Sequence, residues 1–429
     1  MSAAHEAELY VLYHDMVFRQ RVFWLAMLWV FPNLPNQNIK KSDMEASKML
    51  KKIKINNYKM FRDFEMDFTD GVTLICGPNG SGKSALREVL YALTGFLAIP
   101  DSTGRMYDSA SSAFPPNVFC RWQKGFGDHH NLDIELELIS GDSIFSYELT
   151  LHCNAINKYV SVSSEVLETW TSGSNRKWLM SNRVNKLAFR AESGEQVEIA
   201  HDGNFSGIPP SALNNSEARE FGEMVSKIYP VHLNPQNLAN YFEQESNVIG
   251  PNGEHFSAWF GYNLLNRNEN LGLLYERCRS FIQGFVSANT PRKGSMKSVA
   301  VKVKLNQSEY TLELDELSDG QRVLFALYTI LGNVPDGSTI ILDEPENFLA
   351  PSELQPWLFA IDDEWEERGL QFIVLTHNPK TLNWYHKEAV IFRVAGDPPK
   401  IEAEANQNDI PLYETLSELE WQTDGQKPM

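Results

Sequence analysis

Cysteine is scarce: four residues in 429. Cys76, Cys120, Cys153 and Cys278 stand far apart, with no C-x-x-C pair and no Cys/His cluster at metal-ligand spacing. That excludes a zinc-stapled module and a disulfide scaffold, and leaves free, reduced thiols in a cytoplasmic protein as the expectation. Positive charge is also in deficit, with 38 Lys and Arg against 56 Asp and Glu and a formal charge of −18. Such a surface repels phosphate backbones on average, so any DNA contact has to come from a local basic patch. Long apolar runs are missing. The strongest candidate, Val22 to Phe31, is too short to span a bilayer, so no membrane association is expected. Arg19-Gln20-Arg21 precedes that run as in a signal peptide, but Pro32-Asn33-Leu34-Pro35 follows it in place of a small-residue cleavage site. Residues 1–48 therefore read as an extension that is poorly ordered or packed on a partner, and Met44 or Met49 would start the following domain as cleanly as Met1. Sustained heptads and internal repeats are absent from the pattern too, which argues against a long coiled-coil arm.

What is present suits a globular chain: 42% hydrophobic and 22% charged residues can build a large core. Ile53, Ile55, Phe64, Met66 and Phe68 alternate as strands do, and Val72 to Cys76 reads as a buried strand leading into a glycine-rich loop and a helix from Ala85 to Leu93. Residues 97–117 read as a loop. Alternation at Asp133 to Leu138, Ile144 to Leu151 and Tyr159 to Val162 predicts a small antiparallel sheet. Helical spacing returns in Ser216 to Ile228 and Tyr262 to Phe285, followed by a strand pair at Val299 to Leu305 and Glu309 to Leu314. The last third alternates helix with apolar strand: helices at Arg322 to Leu331 and Glu353 to Glu367, strands at Thr339 to Leu342, Phe372 to Leu375 and Val390 to Val394. The expected fold is α/β, a mixed sheet with a mainly parallel core, an antiparallel β subdomain and a helical subdomain. The corresponding division is residues 49–240 as the first part of one lobe, 241–338 as a helical lobe, and 339–429 as the second part of the first lobe.

Gly77-Pro78-Asn79-Gly80-Ser81-Gly82-Lys83-Ser84 fits G-x-x-x-x-G-K-[ST]. Its glycines let successive N–H groups, from Asn79 through Gly82, turn toward a β-phosphate, and the helix that follows adds its N-terminal partial charge. Lys83 supplies a cation for the β- and γ-phosphates, and the Ser84 hydroxyl is placed to ligate Mg²⁺. A flexible surface turn would explain the glycines alone, but not the strand before and the helix after. Thr339 to Leu342 ends in Asp343 and Glu344, at the carboxyl end of a strand where open α/β sheets bind ligands. Asp343 is then the candidate to hold Mg²⁺, directly or through water, and Glu344 the candidate to position or deprotonate the attacking water. Phe372 to Thr376 ends in His377, placed to sense a γ-phosphate if its strand neighbours that of Asp343. Ser318, Asp319, Gly320 and Gln321 open an apolar helix; a plain N-cap and a second anion site are both consistent with them.

In this order the segments resemble the ATP-binding cassette ATPases: Gly77 to Ser84 their Walker A loop, Leu317 to Gln321 their signature, Ile340 to Glu344 their Walker B strand, and His377 their switch histidine. Asp319 stands where the transporter signature has its first glycine. The long separation of Lys83 from Asp343 and the opening Ile53 to Phe64 are similar to RecF/SMC-like heads. Ser164 to Leu167, Gly253 to Phe256 and Glu344 to Leu349 look like the bacterial predicted AAA-type ATPases of that clan. The resemblance covers roughly residues 50 to 400. It implies an ATPase using ATP and Mg²⁺, and an ATP-dependent head-to-tail homodimer in which Ser318, Gly320 and Gln321 of one subunit cover the nucleotide of the other. By position Gln236 is the candidate glutamine-loop residue, contacting Mg²⁺ and the attacking water; an exposed loop amide explains it almost as well, and Gln244 competes for the role. Tyr58 or Phe61 is the candidate to stack on adenine, with core packing the favoured reading for Phe61, and Asn347 to Pro351 occupies the place of the D-loop without its usual Asp. Two functions are carried forward: a regulator of a separate effector protein such as an anti-phage defence nuclease, and a DNA-associated repair or recombination clamp. The second would use the basic stretch Arg176, Lys177, Trp178, Arg183, Lys186, Phe189 and Arg190.

Overall fold

In the computed structural model the described residues are 48–99, 107, 109–122, 129–154, 156–183, 185–266, 271–385 and 389–406. The extension 1–47, and with it the run from Val22 to Phe31, lies outside them. Strands β1 (Lys48–Asn56) and β2 (Phe64–Asp67) form a hairpin. Strand β3 (Val72–Cys76) leads through the glycine-rich loop into α1 (Lys83–Phe96). There follow β4 (His129–Ser140), β5 (Ser143–Asn154), β6 (Tyr159–Thr171), β7 (Lys177–Arg183), β8 (Lys186–Arg190) and β9 (Gln196–Ala200). Together with β1 and β2 these make one eight-stranded antiparallel sheet, ordered β2-β1-β4-β5-β6-β7-β8-β9. It is larger than the sequence suggests, because β7 to β9 alternate weakly and carry many charges on their open face.

Helix α2 (Ser216–Ser226), capped by the Asn215 side chain, delivers β10 (Ile228–Val231) to the second sheet. The remaining strands of that sheet are β17 (Thr339–Asp343), β18 (Gln371–Leu375), β19 (Ala389–Ala395) and β20 (Lys400–Ala405), and the order is β10-β17-β18-β3-β19-β20. All pairings are parallel except β19 with β20. Every residue of β3, β17 and β18 is buried, as befits central parallel strands covered on both faces.

The period of two along these strands divides the interior. Ile75, Ile341, Ile373, Leu375 and Phe392 point into a core shared with α1, α2 and the antiparallel sheet. Their neighbours Leu74, Cys76, Ile340, Leu342, Phe372 and Val374 point into a second core. That second core is closed by α3 (Phe256–Asn266), α4 (Leu271–Phe281), α5 (Asp319–Asn333) and α6 (Pro351–Arg368). It also takes in β12 (Phe285–Asn289) and β15 (Ala300–Leu305), which with β16 (Ser308–Glu313) form a small antiparallel sheet; β11 (Tyr241–Phe242), β13 (Arg292–Lys293) and β14 (Met296–Ser298) form another.

The expected helix from Tyr262 to Phe285 is thus two helices and a strand. Cys278, Ile282 and Phe285 keep helical spacing, yet Phe285 and Ala288 face the second core from a strand. Two buried polar side chains tie the layers. Gln371 accepts from Leu50 N and Thr339 Oγ1 and donates to Leu50 O and Thr69 O, so all its bonds join β18 to its surroundings. Glu165, fully buried, accepts from Tyr147 OH, Asn182 Nδ2, Ser206 Oγ and Gly207 N, which makes the segment Ser164 to Leu167 a structural pin. Among the described residues no helix is long and apolar enough to cross a membrane.

Candidate functional site

Parallel strands that neighbour one another bring their carboxyl ends to one edge. Because β18 lies between β3 and β17, the glycine-rich loop, Asp343-Glu344 and Thr376-His377 all emerge together. Gly82 caps α1 with φ +95, and a Cβ there would meet Ile401 Cδ1 of β20 at 2.1 Å, so both the turn and the packing demand glycine. A cleft of about 300 Å³ is lined by Asn79, Gly80, Ser81, Gly82, Lys83, Ser84 and Glu344, with Lys59, Met60 and Ile401 on its other walls. Ser84 faces it exposed, whereas Ser81 Oγ is buried without a hydrogen-bond partner among the described residues.

Each charged group here has a partner within the chain. Lys83 Nζ donates to Gly77 O at 2.7 Å and Pro78 O at 3.2 Å. Burial lowers its pKa, against the opposing pull of Glu344 and Asp343. Asp343 is buried and its Oδ2 accepts from Arg87 Nε at 3.1 Å; removing one partner of a buried ion pair costs roughly 3–5 kcal/mol. Glu344 adopts φ +50, a strained value for a non-glycine residue. Its Oε1 lies 2.9 Å from His377 Nδ1, whose N–H donates to it, and its Oε2 accepts from Asn347 Nδ2 at 2.6 Å. Glu346 is buried beside them and accepts from Thr376 Oγ1; burial, joined by the Glu344 charge, pushes its carboxyl up to about 7. A hydroxyl and carboxylates are oxygen donors of the kind that suit a hard divalent cation, so Ser84 and Asp343 fit Mg²⁺.

The structure brings together Asn79 to Ser84, Asp343, Glu344 and His377. Ser318, Gly320 and Gln321 do not line this cleft. They open α5, where Ser318 Oγ accepts from Gln321 N and Gln321 Oε1 accepts from Ser318 N. A Cβ on Gly320 would stand 2.8 Å from Phe348 O, so the start of α5 leans on the segment that carries Asn347. Gln236 is exposed on the loop after β10 and is not among the residues lining the cleft. Its loop is tied to α5 by Arg322 Nη1, which donates to Pro235 O. Gln244, also exposed, lines a separate cleft with Glu254 and His255.

Tyr58 does not line the cleft as a ring to stack on adenine, and Phe61 packs in the core, the reading favoured for it. Both are core residues: Phe61 packs 4.5 Å from Phe64, centroid to centroid, because the bulge at 57–61 turns these rings inward and leaves Lys59 and Met60 at the cleft. The basic stretch is largely neutralised. Arg176 pairs with Glu168 and lies over Trp170, Lys177 pairs with Glu217, and Lys186 with Glu198. Sequence reasoning passed over Arg87 and His232, whose Nδ1–H donates to Asp343 O. The signal for Arg87 was its spacing, four residues beyond Lys83 and so on the same helix face.

The family model described as "AAA domain, putative AbiEii toxin, Type IV TA system" matches residues 72–383. A DNA replication and repair protein RecF from Cytophaga hutchinsonii is 23% identical over 296 residues, which cover 61% of this chain and 77% of that protein. Among solved structures, an SMC head bound to the C-winged helix domain of ScpA aligns with 83% of this chain and 98% of its own at 12% identity and a TM-score of 0.48. The SMC head domain from Thermotoga maritima aligns with 84% and 99%, at 14% identity and a TM-score of 0.37.

Proposed function

The chain belongs to the AAA-domain family whose model spans residues 72–383, as a RecF/SMC-like P-loop ATPase, and from that membership we propose that it hydrolyses ATP, with Mg²⁺, as an ATP-dependent head-to-tail homodimer. The observation that carries the reading is Glu344 at the mouth of the phosphate-loop cleft, with His377 bonded to its Oε1 and Asn347 to its Oε2.

The loop N–H groups from Asn79 to Ser84 and the Lys83 ammonium bind the β- and γ-phosphates, and Met60 and Ile401 supply apolar walls. Bound Mg²⁺, held through Ser84 and Asp343, would withdraw charge from the phosphate oxygens. Glu344 accepts a proton from water as the water oxygen bonds to the γ-phosphorus and the bond to the β-phosphate oxygen breaks, giving ADP and phosphate. His377, hydrogen-bonded to Glu344 Oε1, keeps that carboxylate aimed. Ser318, Gly320 and Gln321 act in the partner's cleft, since they lie outside their own. Gln236 joins the site only through movement of its loop.

For the biological role we favour a nucleotide-gated regulator of a separate effector protein, such as a defence nuclease. The charge of −18 and the ion-paired basic stretch both count against a DNA clamp, although the RecF relative is a DNA replication and repair protein. The test is nucleotide binding and turnover with Mg²⁺ in three forms. Lys83→Ala should lose ATP binding; Glu344→Gln should bind ATP, lose turnover and accumulate as a dimer. Wild-type turnover in Glu344→Gln would overturn the assignment. Hydrolysis stimulated by DNA, falling steeply with salt, would replace the effector reading with the clamp.

A further inference from the structure

Lys83 and Arg87 are the two lysine or arginine residues that are buried among the described residues, and only Lys83 belongs to the phosphate-binding pattern. Standing four apart on α1, they present two cations from one helix face toward the end of β17. Arg87 makes two bonds there: Nε donates to Asp343 Oδ2 at 3.1 Å and Nη1 donates to Pro251 O at 2.9 Å. Pro251 O also accepts from His232 N at 2.8 Å, and His232 Nδ1 donates to the backbone oxygen of Asp343 at 3.0 Å. The ring Arg87, Asp343, His232, Pro251 is therefore closed. It joins the proposed cation-holding carboxylate to segment 249–255, which folds the entry to α3 through His255 N to Ile249 O and Phe256 N to Gly253 O.

From this geometry we propose that Arg87 is a positioning residue that competes with the divalent cation for the carboxylate of Asp343, and that its hold on Pro251 passes the outcome to segment 249–255. The proposal rests on the reading of Asp343 as the cation-facing acid. A guanidinium on Oδ2 and a divalent cation drawn to the same single negative charge repel each other in a buried site, so each weakens the other's hold on Asp343. Cation loading thus displaces Arg87 from Oδ2, and the guanidinium that moves is the one bonded to Pro251. Occupancy of the phosphate site is in this way felt at the start of the helical part, without any contact between nucleotide and α3.

The test is Mn²⁺ binding, followed by the ion's paramagnetic signal, on the full chain with a non-hydrolysable ATP analogue, together with amide exchange over 249–266. Arg87→Met should bind Mn²⁺ roughly tenfold more tightly than wild type, at the lower end of coupling between close desolvated charges. Its 249–255 amides should exchange fast with or without cation, whereas in wild type the cation should speed them. Arg87→Lys, which keeps the charge but cannot span both acceptors, should leave Mn²⁺ affinity near wild type and still speed exchange; it serves also if the Met variant does not fold. Unchanged or weaker Mn²⁺ binding in Arg87→Met, or wild-type exchange in Arg87→Lys, overturns the proposal, since a merely structural arginine would weaken the site when lost. Asp343→Asn with undiminished Mn²⁺ affinity would remove the reading of Asp343 and the proposal with it, whereas failure of the Arg87 variants alone leaves that reading standing.

Discussion

Glu346 offers the most direct quantitative check on the site, because an acid is buried there with half of its carboxyl unmet. Oε1 accepts from Thr376 Oγ1, while Oε2 is buried without a hydrogen-bond partner among the described residues. Burial raises its pKa to about 7, with the Glu344 charge adding to the rise and Thr376, its own backbone and His377 opposing it. A carboxyl whose folded pKa lies above its unfolded value near 4.5 binds its proton more tightly in the folded state. Its ionisation therefore leaves stability untouched below about pH 4.5 and lowers it as pH rises toward 7. A rise from 4.5 to about 7 corresponds to roughly 3 kcal/mol at pH values above both. Glu346→Gln mimics the protonated acid: its amide oxygen still accepts from Thr376 and no charge is buried. Urea unfolding at pH 5 and pH 8 should show the variant more stable than wild type by about 1 kcal/mol at the lower pH and by about 3 kcal/mol at the higher. Parallel pH profiles for the two proteins would refute the argument, because a common slope from other acids cancels in the difference.

Two further substitutions probe function. Ser318→Arg should bind ATP as wild type does and lose at least tenfold in turnover; mixing it with Lys83→Ala, whose signature is intact, should restore part of the activity if Ser318 serves the partner's cleft. Asn347→Ala frees Glu344 Oε2 from a bond to a charged group worth roughly 1.5–3 kcal/mol. It should raise turnover per subunit severalfold at dilute protein concentration, and an unchanged dependence of rate on concentration would show that Asn347 does not restrain Glu344.

Much of the cleft was legible in the sequence for a physical reason: the groups that line or border it are consecutive. Asn79 to Ser84 are one turn of chain, Asp343 and Glu344 end one strand, and His377 ends another, so local pattern alone fixes what they face once β3, β17 and β18 are adjacent. Arg87 was not legible as a site residue because its partner lies 256 positions away, and the helical spacing that aims it says nothing of what it meets. Ile401 and Met60 escaped for the same reason. Tyr58 was misread as a stacking candidate because the sequence places a ring near the phosphate loop without saying which way a tight turn directs it, whereas core packing is the better reading of Phe61 in sequence and structure alike. The antiparallel sheet was underestimated where β7 to β9 hide their pairing under charged side chains, and those charges, read as a basic patch, are mostly spent on neighbouring acids.

The same pattern of internal pairing runs through the catalytic cleft and suggests how its parts act together. Lys83 is bonded to its own loop, Asp343 to Arg87, and Glu344 to His377 and Asn347. On the proposed reading, a triphosphate with its cation competes for the first two groups directly, and Glu344 must turn one oxygen toward water before it can take a proton. Each of these bonds is individually modest, and each exchange replaces a charge-assisted bond with another, so binding gains less than the count of contacts suggests. What the exchange does supply is coupling. Arg87 reports to segment 249–255, Asn347 sits beside the backbone on which Gly320 leans, and Thr376, held by Glu346, accepts from Asn378 N on the far side of His377. On the proposed reading, loading one cleft disturbs the segment that carries the signature residues proposed to act on the partner.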